Sequence, residues 1–555
     1  MNRHDDSVAL LSDVVRGRLS RRDLLRRAAA LGVGAPAVAA LLGAMPDTAD
    51  AAPAHVHAQA TPAAADQPCT GAITLALEYS PDNLIPYGGV SGANMLGKEL
   101  MYDSLLQWDR ELNIQPALAE SYEVAPDATS YTFKLRRGVK FHDGAEMMAK
   151  DVKYSMELAI TPPEPGIKGA FVANIAEVQI VDDYTVTFVM SKPDPTIPGV
   201  LAWTRYSPII PEGAGERINF LSEGIGTGPY KLVEFVPNDR VVYTCYDEHW
   251  QAGVPCIKDI TLKVLPDEQS RVAALRSGEI DGGTFTADVV RTLEGDDTLE
   301  VLSGLFAAPR VIQFNTTDPA APWLDVRVRQ AINAMVDRQE IIDKVYGGNA
   351  ELTGPIAPGY GDWPLTAGEL TAFYAVDEAR AKQLMQEAGL ADGFEVTLQA
   401  ISAPREFTQI AEIVRERLKP LNINVTVEPL EIGTFAKNIG DGSFQWASTG
   451  RGMRGDPSGF VVDFRSGTAS HVIWFGDGWK NDELDRLYDE ALATADVGQR
   501  MAAYKRIQEI ILTEAANLYT VQPMKYQVVG ERVDGMYVSY TDFNPGLRQA
   551  CVTDA

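Results

Sequence analysis

Between residues 376 and 429 the hydrophobic pattern alternates between helix and strand twice over, and this stretch restricts the fold more than any other. "VDEARAKQLMQEAGL" places Ala381, Leu384, Met385 and Ala388 on one face at helical spacing, with Gly389 where a C-terminal cap falls. "FEVTLQA" then alternates as a strand. "PREFTQIAEIVRERLKP" returns to helical spacing through Phe407, Ile410, Ala411, Val414 and Leu418, and "INVTVEP" is the next strand. A strand–helix–strand succession calls for a parallel pair joined by a right-handed crossover. "DITLKVLPDEQSRVAALRSGEIDGG" carries the same logic, with a helix stopped at Gly278 between two strands. Residues ~105–225 read differently, as sheet-rich sequence. There "YTFKLRRGVKF" alternates Tyr131, Phe133 and Leu135 against polar residues, and "VQIVDDYTVTFVM" predicts a hairpin turning near Asp182-Asp183. One helix is expected around "AKDVKYSMELA", and two long amphipathic helices around 481–493 and 498–514. A chain of 555 residues exceeds a single core, so this α/β pattern implies two or three lobes.

The N-terminus points outside the cytoplasm. "LSRRDLLRR" precedes an apolar Ala/Gly/Leu-rich stretch from Ala28 to Met45, then Ala-x-Ala sites at Ala49–Ala51 and Ala58–Ala60. That layout predicts a twin-arginine-type export signal over 1–51, with cleavage as late as 60, and a flexible Ala/Pro/His leader over 52–68. No later apolar run reaches the ~18 residues that span a bilayer, and "DQPCTG" around Cys69 is not a lipidation context. The expected mature protein is soluble, in the periplasm or at the outer face of the membrane. A net charge of −27 repels phosphate backbones and argues against nucleic-acid partners. The four cysteines, Cys69, Cys245, Cys256 and Cys551, have no metal-like spacing, and their even number in an oxidising compartment favours disulfides. Ten residues containing Gly253 and Pro255 separate Cys245 from Cys256, so a turn there predicts that pair. Four free buried thiols remain the alternative.

"FQWASTGRGMRGDPSGF" contains G-x-G-x-x-G at Gly450, Gly452 and Gly455. A dinucleotide site needs a helix opening among these glycines. Instead Pro457 and Gly459 interrupt helix propagation, so no dinucleotide cofactor is expected. No H-E-x-x-H, G-x-S-x-G or P-loop occurs, which leaves catalysis without residues. His142 and Asp143 of "FHDG", and likewise His249 and His471, read as structural.

The most specific block is "YDSLLQWDRELNIQPALAESYEVAPDATSYTFKLRRGVKFHDGAEMMAKDVKYSMELA". It is followed in order by "GTGPYKLVEF", "AALRSGEIDGG", "FNTTDPAAPWLDVRVRQAINAMVDRQEII", "ARAKQLMQEAGL" and "WKNDELDRLYDEA". Residues 116–155, and with them roughly 70–550, resemble the solute-binding proteins of ABC importers in the peptide/nickel cluster, extracellular solute-binding family 5. The resemblance implies a two-lobed periplasmic-binding-protein-like α/β fold of type II, closing over a ligand by a hinge. Lobe I would comprise 69–104, 226–318 and 522–555, with a β-rich subdomain over 105–225, and lobe II would comprise 319–521. Both termini would lie in lobe I, which makes Cys69–Cys551 the natural second pair. The implied activity is capture of a solute for a membrane permease by a monomer without cofactor or catalysis. An exported receptor or chaperone on the same scaffold is the alternative. Oligopeptide, opine-like conjugate, oligosaccharide and metal chelate are all open as ligands.

In peptide-binding relatives the segment matching 449–457 resembles G-W-x-x-D-x-x-D-P, whose first acid takes the ligand's α-ammonium. Here Met453 stands at that acid and Gly450 at the aromatic. The loop offers Arg451 and Arg454, forks suited to carboxylate, phosphate or hydroxyl-rich ligands if they face the cleft and merely solvated if they do not. On the opposing lobe Tyr87, Gly88, Gly89 and Val90 match a segment whose backbone lies along the ligand. Tyr79, Trp203, Trp446 and Trp474 are candidate cleft walls, with core packing as the alternative for each.

Overall fold

The computed structural model describes residues 69–555 except 82, 88–91, 162–171, 306, 453, 540–544 and 554–555. The expected signal and leader therefore lie outside the described residues. Among the described residues no helix is long and apolar enough to cross a membrane.

Two large sheets organise the chain. The first has eight strands, in the order Leu299–Leu305, Val521–Gly530, Gly282–Phe285, Thr70–Leu77, Ile257–Val264, Arg240–Cys245 and Tyr230–Val236, with Ala350–Leu352 also on Val521–Gly530. Thr70–Leu77 pairs in parallel with both of its neighbours, and helix Glu268–Arg276 makes the expected crossover. The second sheet has five strands, Ile423–Leu430, Phe394–Ile401, Trp446–Gly450, Arg310–Phe314 and Asn517–Tyr519. Its Phe394–Ile401 and Ile423–Leu430 are parallel, joined by helix Glu406–Leu418. That helix buries Phe407, Ile410, Ala411, Val414 and Leu418, the five residues its period predicts. Each of the four larger side chains among them contributes roughly 1.5–3 kcal/mol on full burial.

A four-stranded antiparallel sheet forms the third layer: Ala119–Val124, Ser130–Leu135, Thr185–Met190 and Ile175–Asp182. Strand Ser130–Leu135 buries Tyr131, Phe133 and Leu135, and the hairpin turns at Asp183 and Tyr184, as the alternation predicts. Helix Ala149–Ile160 covers it.

Apart from the excursion of Ala350–Leu352 to the edge of the first sheet, the chain passes between the two large sheets at two adjacent places. One runs from Leu305 to Arg310; the other separates Tyr519 from Val521 by a single residue. Thr520 ties them together, donating both its N–H (2.9 Å) and its hydroxyl (2.8 Å) to the Arg310 carbonyl. Strand Arg310–Phe314 thus belongs to the second sheet, although the expected lobe boundary fell after 318.

The disulfides correct the sequence expectation. Cys69 pairs with Cys245 and Cys256 with Cys551, with Cα separations of 6.6 and 5.0 Å. The reason is sheet order. Thr70–Leu77 inserts beside Ile257–Val264, with Thr70 N–H on the Cys256 carbonyl, which brings Cys69 to the end of strand Arg240–Cys245. The C-terminal strand Cys551–Val552 packs Val552 against Gly71, leaving Cys551 for Cys256.

Candidate functional site

Strand Trp446–Gly450 leads directly into the glycine-rich loop, and only a one-turn helix, Ser458–Val461, follows it. The loop is held by side chains from several elements. Arg451 is buried, ion-paired with Asp463, hydrogen-bonded to Gln313 Oε1 (2.7 Å) and stacked over Trp474 at 5.2 Å. Its guanidinium is thus engaged in holding the loop rather than presented to a ligand. Asp456 receives two bonds from Arg500, at 2.7 and 2.8 Å, and one from Ser458 N–H. Tyr360 donates its hydroxyl to the Arg454 carbonyl (2.6 Å), and Arg454 Nε donates to the Gly459 carbonyl (3.1 Å). Burial pulls the Arg454 guanidinium below its ordinary range, and the Asp463 charge opposes that shift.

Against this loop sits the short helix Ile197–Leu201 and the segment after it. Trp203 is buried, edge-on to Tyr206 at 4.8 Å. The Arg205 guanidinium lies over both rings, at 5.3 and 5.4 Å, and its buried Nε has no hydrogen-bond partner among the described residues. Burial pushes the Tyr206 hydroxyl up, while the charges of Arg205 and Arg454 pull it back. The Arg205 guanidinium is thus set among two aromatic rings, on the side that faces the Arg454-bearing loop. Arg205 escaped the sequence reading; its signal is the W-x-R-Y arrangement, a cation set among rings.

A cavity of about 730 Å³ opens where the two large sheets approach each other. Tyr79 and Glu78 border it from the end of the first strand, Arg405 and Gln409 from the start of helix Glu406–Leu418, and Lys525 and Gln527 from the connecting strand. Tyr79 is half exposed there. A separate cavity of about 70 Å³ is lined by Trp203, Glu99, Trp108 and Arg548. Trp446 is a correction: it is fully buried among Phe314, Trp323 and Phe394, because the strand that carries it lies inside the five-stranded sheet. Tyr87 is buried, donating to the Pro208 carbonyl. Gly88, Gly89, Val90 and Met453 lie outside the described residues.

Among the described residues three histidines meet backbone groups, and His249 Nε2 also lies 3.6 Å from the buried Asp103 carboxylate. His142 bridges the Gly228 carbonyl (2.9 Å) and the Gly226 N–H (3.4 Å), His249 meets the Val254 carbonyl and His471 the Trp479 carbonyl. Among the described residues the one metal-like grouping is Cys69, Cys245 and Asp247, whose sulfurs are joined to each other.

The model of the bacterial extracellular solute-binding proteins, family 5 Middle, matches residues 113–471. The chain belongs to that family, and it is a two-lobed substrate-binding protein of the ABC-importer class. It is 26% identical to the glutathione-binding protein GsiB of Escherichia coli (strain K12), over 80% of this chain and 87% of that one. Among solved structures it resembles DppA of Helicobacter pylori in complex with the peptide STSA, with a TM-score of 0.73 and 24% identity, covering 87% of this chain and 98% of that one. NikA of Brucella suis in complex with Fe(III)-EDTA gives a TM-score of 0.75 at 24% identity, over 87% and 100% of the two chains. AgaA of A. tumefaciens R10 in complex with agropinic acid gives 0.73 at 23%, over 87% and 99%.

Proposed function

We propose that the protein captures a small polar solute carrying at least one carboxylate, peptide-like or opine-like, between its two lobes and delivers it to a membrane permease. The observation that carries this reading is Arg205, whose guanidinium lies over Trp203 and Tyr206 on the side that meets the Arg454-bearing loop through the Gly199–Gly455 contact. A guanidinium set among aromatic rings and screened from water binds carboxylate more strongly than one in solvent. Glutathione, agropinic acid and peptide as ligands of the relatives accord with it. In this reading lobe I is built on the eight-stranded sheet with the four-stranded layer as its subdomain, and lobe II on the five-stranded sheet. Export by the twin-arginine-type signal places the protein outside the cytoplasm, where it acts by binding alone.

A free peptide N-terminus is not the anchor in this reading. Two carboxylates at the loop, Asp456 and Asp463, are taken by Arg500 and Arg451. Position 453 is methionine. An ammonium buried there without a carboxylate costs several kcal/mol.

Calorimetry against glutathione, N-acetylated and free dipeptides, an opine and a neutral oligosaccharide tests the proposal. Acidic solutes are expected to bind best, acetylation to cost little, and Arg205→Ala and Arg454→Ala each to weaken binding roughly tenfold or more. Tight binding of the neutral sugar, unchanged in Arg205→Ala, overturns the reading.

A further inference from the structure

Gly199 and Gly455 bring the two sides of the site together backbone against backbone. Gly199 lies in helix Ile197–Leu201, in the segment between the four-stranded layer and the first large sheet. Gly455 lies in the loop after strand Trp446–Gly450 of the five-stranded sheet. A Cβ built on Gly199 falls 1.7 Å from the Gly455 carbonyl oxygen and 2.8 Å from its carbon, with Trp108 at 3.4 Å. The reverse is milder, since a Cβ on Gly455 meets Gly199 at 3.2 Å and the Val200 nitrogen at 3.4 Å.

The loop has little room to yield. Tyr360 holds the carbonyl of the residue before Gly455, and Arg500 holds the side chain of the residue after it. On the other side Ile197 and Leu201 are fully buried. Neither glycine has a positive φ, so its own backbone does not require glycine. Within a helix glycine is a poorer choice than alanine. The contact across the site is therefore the demand that excludes a side chain at Gly199.

We propose that Gly199 and Gly455 are positioning residues for solute capture: their contact is the closure point of the lobes, and Gly199 admits the closed state because it lacks a Cβ. This rests on the two-lobed binding fold but not on the identity of the solute.

The test reads closure without any solute. Lys192 and Asp489 are exposed and line one cavity from the two sides of this contact, and no free cysteine occurs among the described residues. In a Lys192→Cys/Asp489→Cys protein, a short bis-maleimide traps the closed form, and its linking rate counts visits to that form. Adding Gly199→Ala should slow linking by about tenfold or more, the effect of forcing a methyl into a packed contact. Gly455→Ala should slow it by only about threefold or less, because its contacts are looser. The melting temperature of solute-free Gly199→Ala should be equal to or above that of the parent, as expected for alanine in a helix. Equal linking rates in parent and Gly199→Ala overturn the proposal, as does a parent that never links. A lowered melting temperature of Gly199→Ala also overturns it, since glycine would then serve the lobe's own folding. Calorimetry of the same proteins against glutathione, the dipeptides, the opine and the neutral oligosaccharide reads the solute proposal separately: a parent that links readily but binds none of the carboxylate-bearing solutes refutes that reading and leaves the closure contact standing.

Discussion

Replacing Asp456 by alanine isolates a buried charge. The Arg500 and Asp456 side chains are 6% and 13% exposed, and two short hydrogen bonds join them. Burial alone would pull the Arg500 guanidinium down; the Asp456 charge reverses this and holds it above its ordinary range. Its rim is aromatic, with Trp363 at 5.4 Å and Tyr504 at 5.6 Å, and Asp456 is the carboxylate that it bonds. Asp456→Ala therefore strands a desolvated cation, which costs about 3–5 kcal/mol. The Ser458 N–H loses its acceptor as well, adding roughly 1 kcal/mol. The measurement is guanidinium chloride unfolding of the oxidised protein at pH 7, followed by tryptophan fluorescence. A double variant, Asp456→Ala with Arg500→Met, should recover at least half of the loss, because an apolar pair of similar volume replaces a buried ion pair at little cost. A single-variant loss below about 1 kcal/mol, or a double variant no more stable than the single, refutes the account of Arg500 as a charge compensated by Asp456.

Three further outcomes are expected. Peptide mapping without reduction should recover Cys69 linked to Cys245 and Cys256 to Cys551, and replacing the second pair by serine should cost roughly 2–5 kcal/mol. Burial pushes the Glu99 carboxyl up to about 8, against the opposing charges of Arg548 and Lys525. Because the unfolded chain releases this proton near the usual carboxylate range, the wild type should lose stability relative to Glu99→Gln as pH rises from about 4.5 to 8, with no such trend below that window. Small-angle scattering should give a smaller radius of gyration with a saturating bound solute such as glutathione than without it, and an unchanged value counts against hinge closure.

Much of the architecture was legible because its causes are local. Helix Glu406–Leu418 and strand Ser130–Leu135 bury the residues that their periods of 3.6 and 2 predict, since the period itself selects the face. The parallel crossover from Phe394–Ile401 to Ile423–Leu430 followed from element order and chain handedness. The ordered motifs from 102 to 491 carried the family, and the proline and glycine after Gly455 foretold a loop without a long helix.

What tertiary structure alone decided are relations between distant segments. Ten intervening residues made Cys245 and Cys256 look like partners, but strand order handed Cys245 to Cys69 and left Cys256 for Cys551. Trp446 and Trp203 were equivalent as aromatic letters. An interior strand buried the first in the core of the five-stranded sheet, while the second came to rest beside Arg205 and Tyr206. Arg451 and Arg454 looked interchangeable until Asp463 and Gln313 enclosed the first. The approach of Gly199 to Gly455 spans 256 positions, as their numbers show, and no local pattern encodes it. Periodicity reports which face of an element avoids water; it carries no record of which other element covers that face, and that choice set the site.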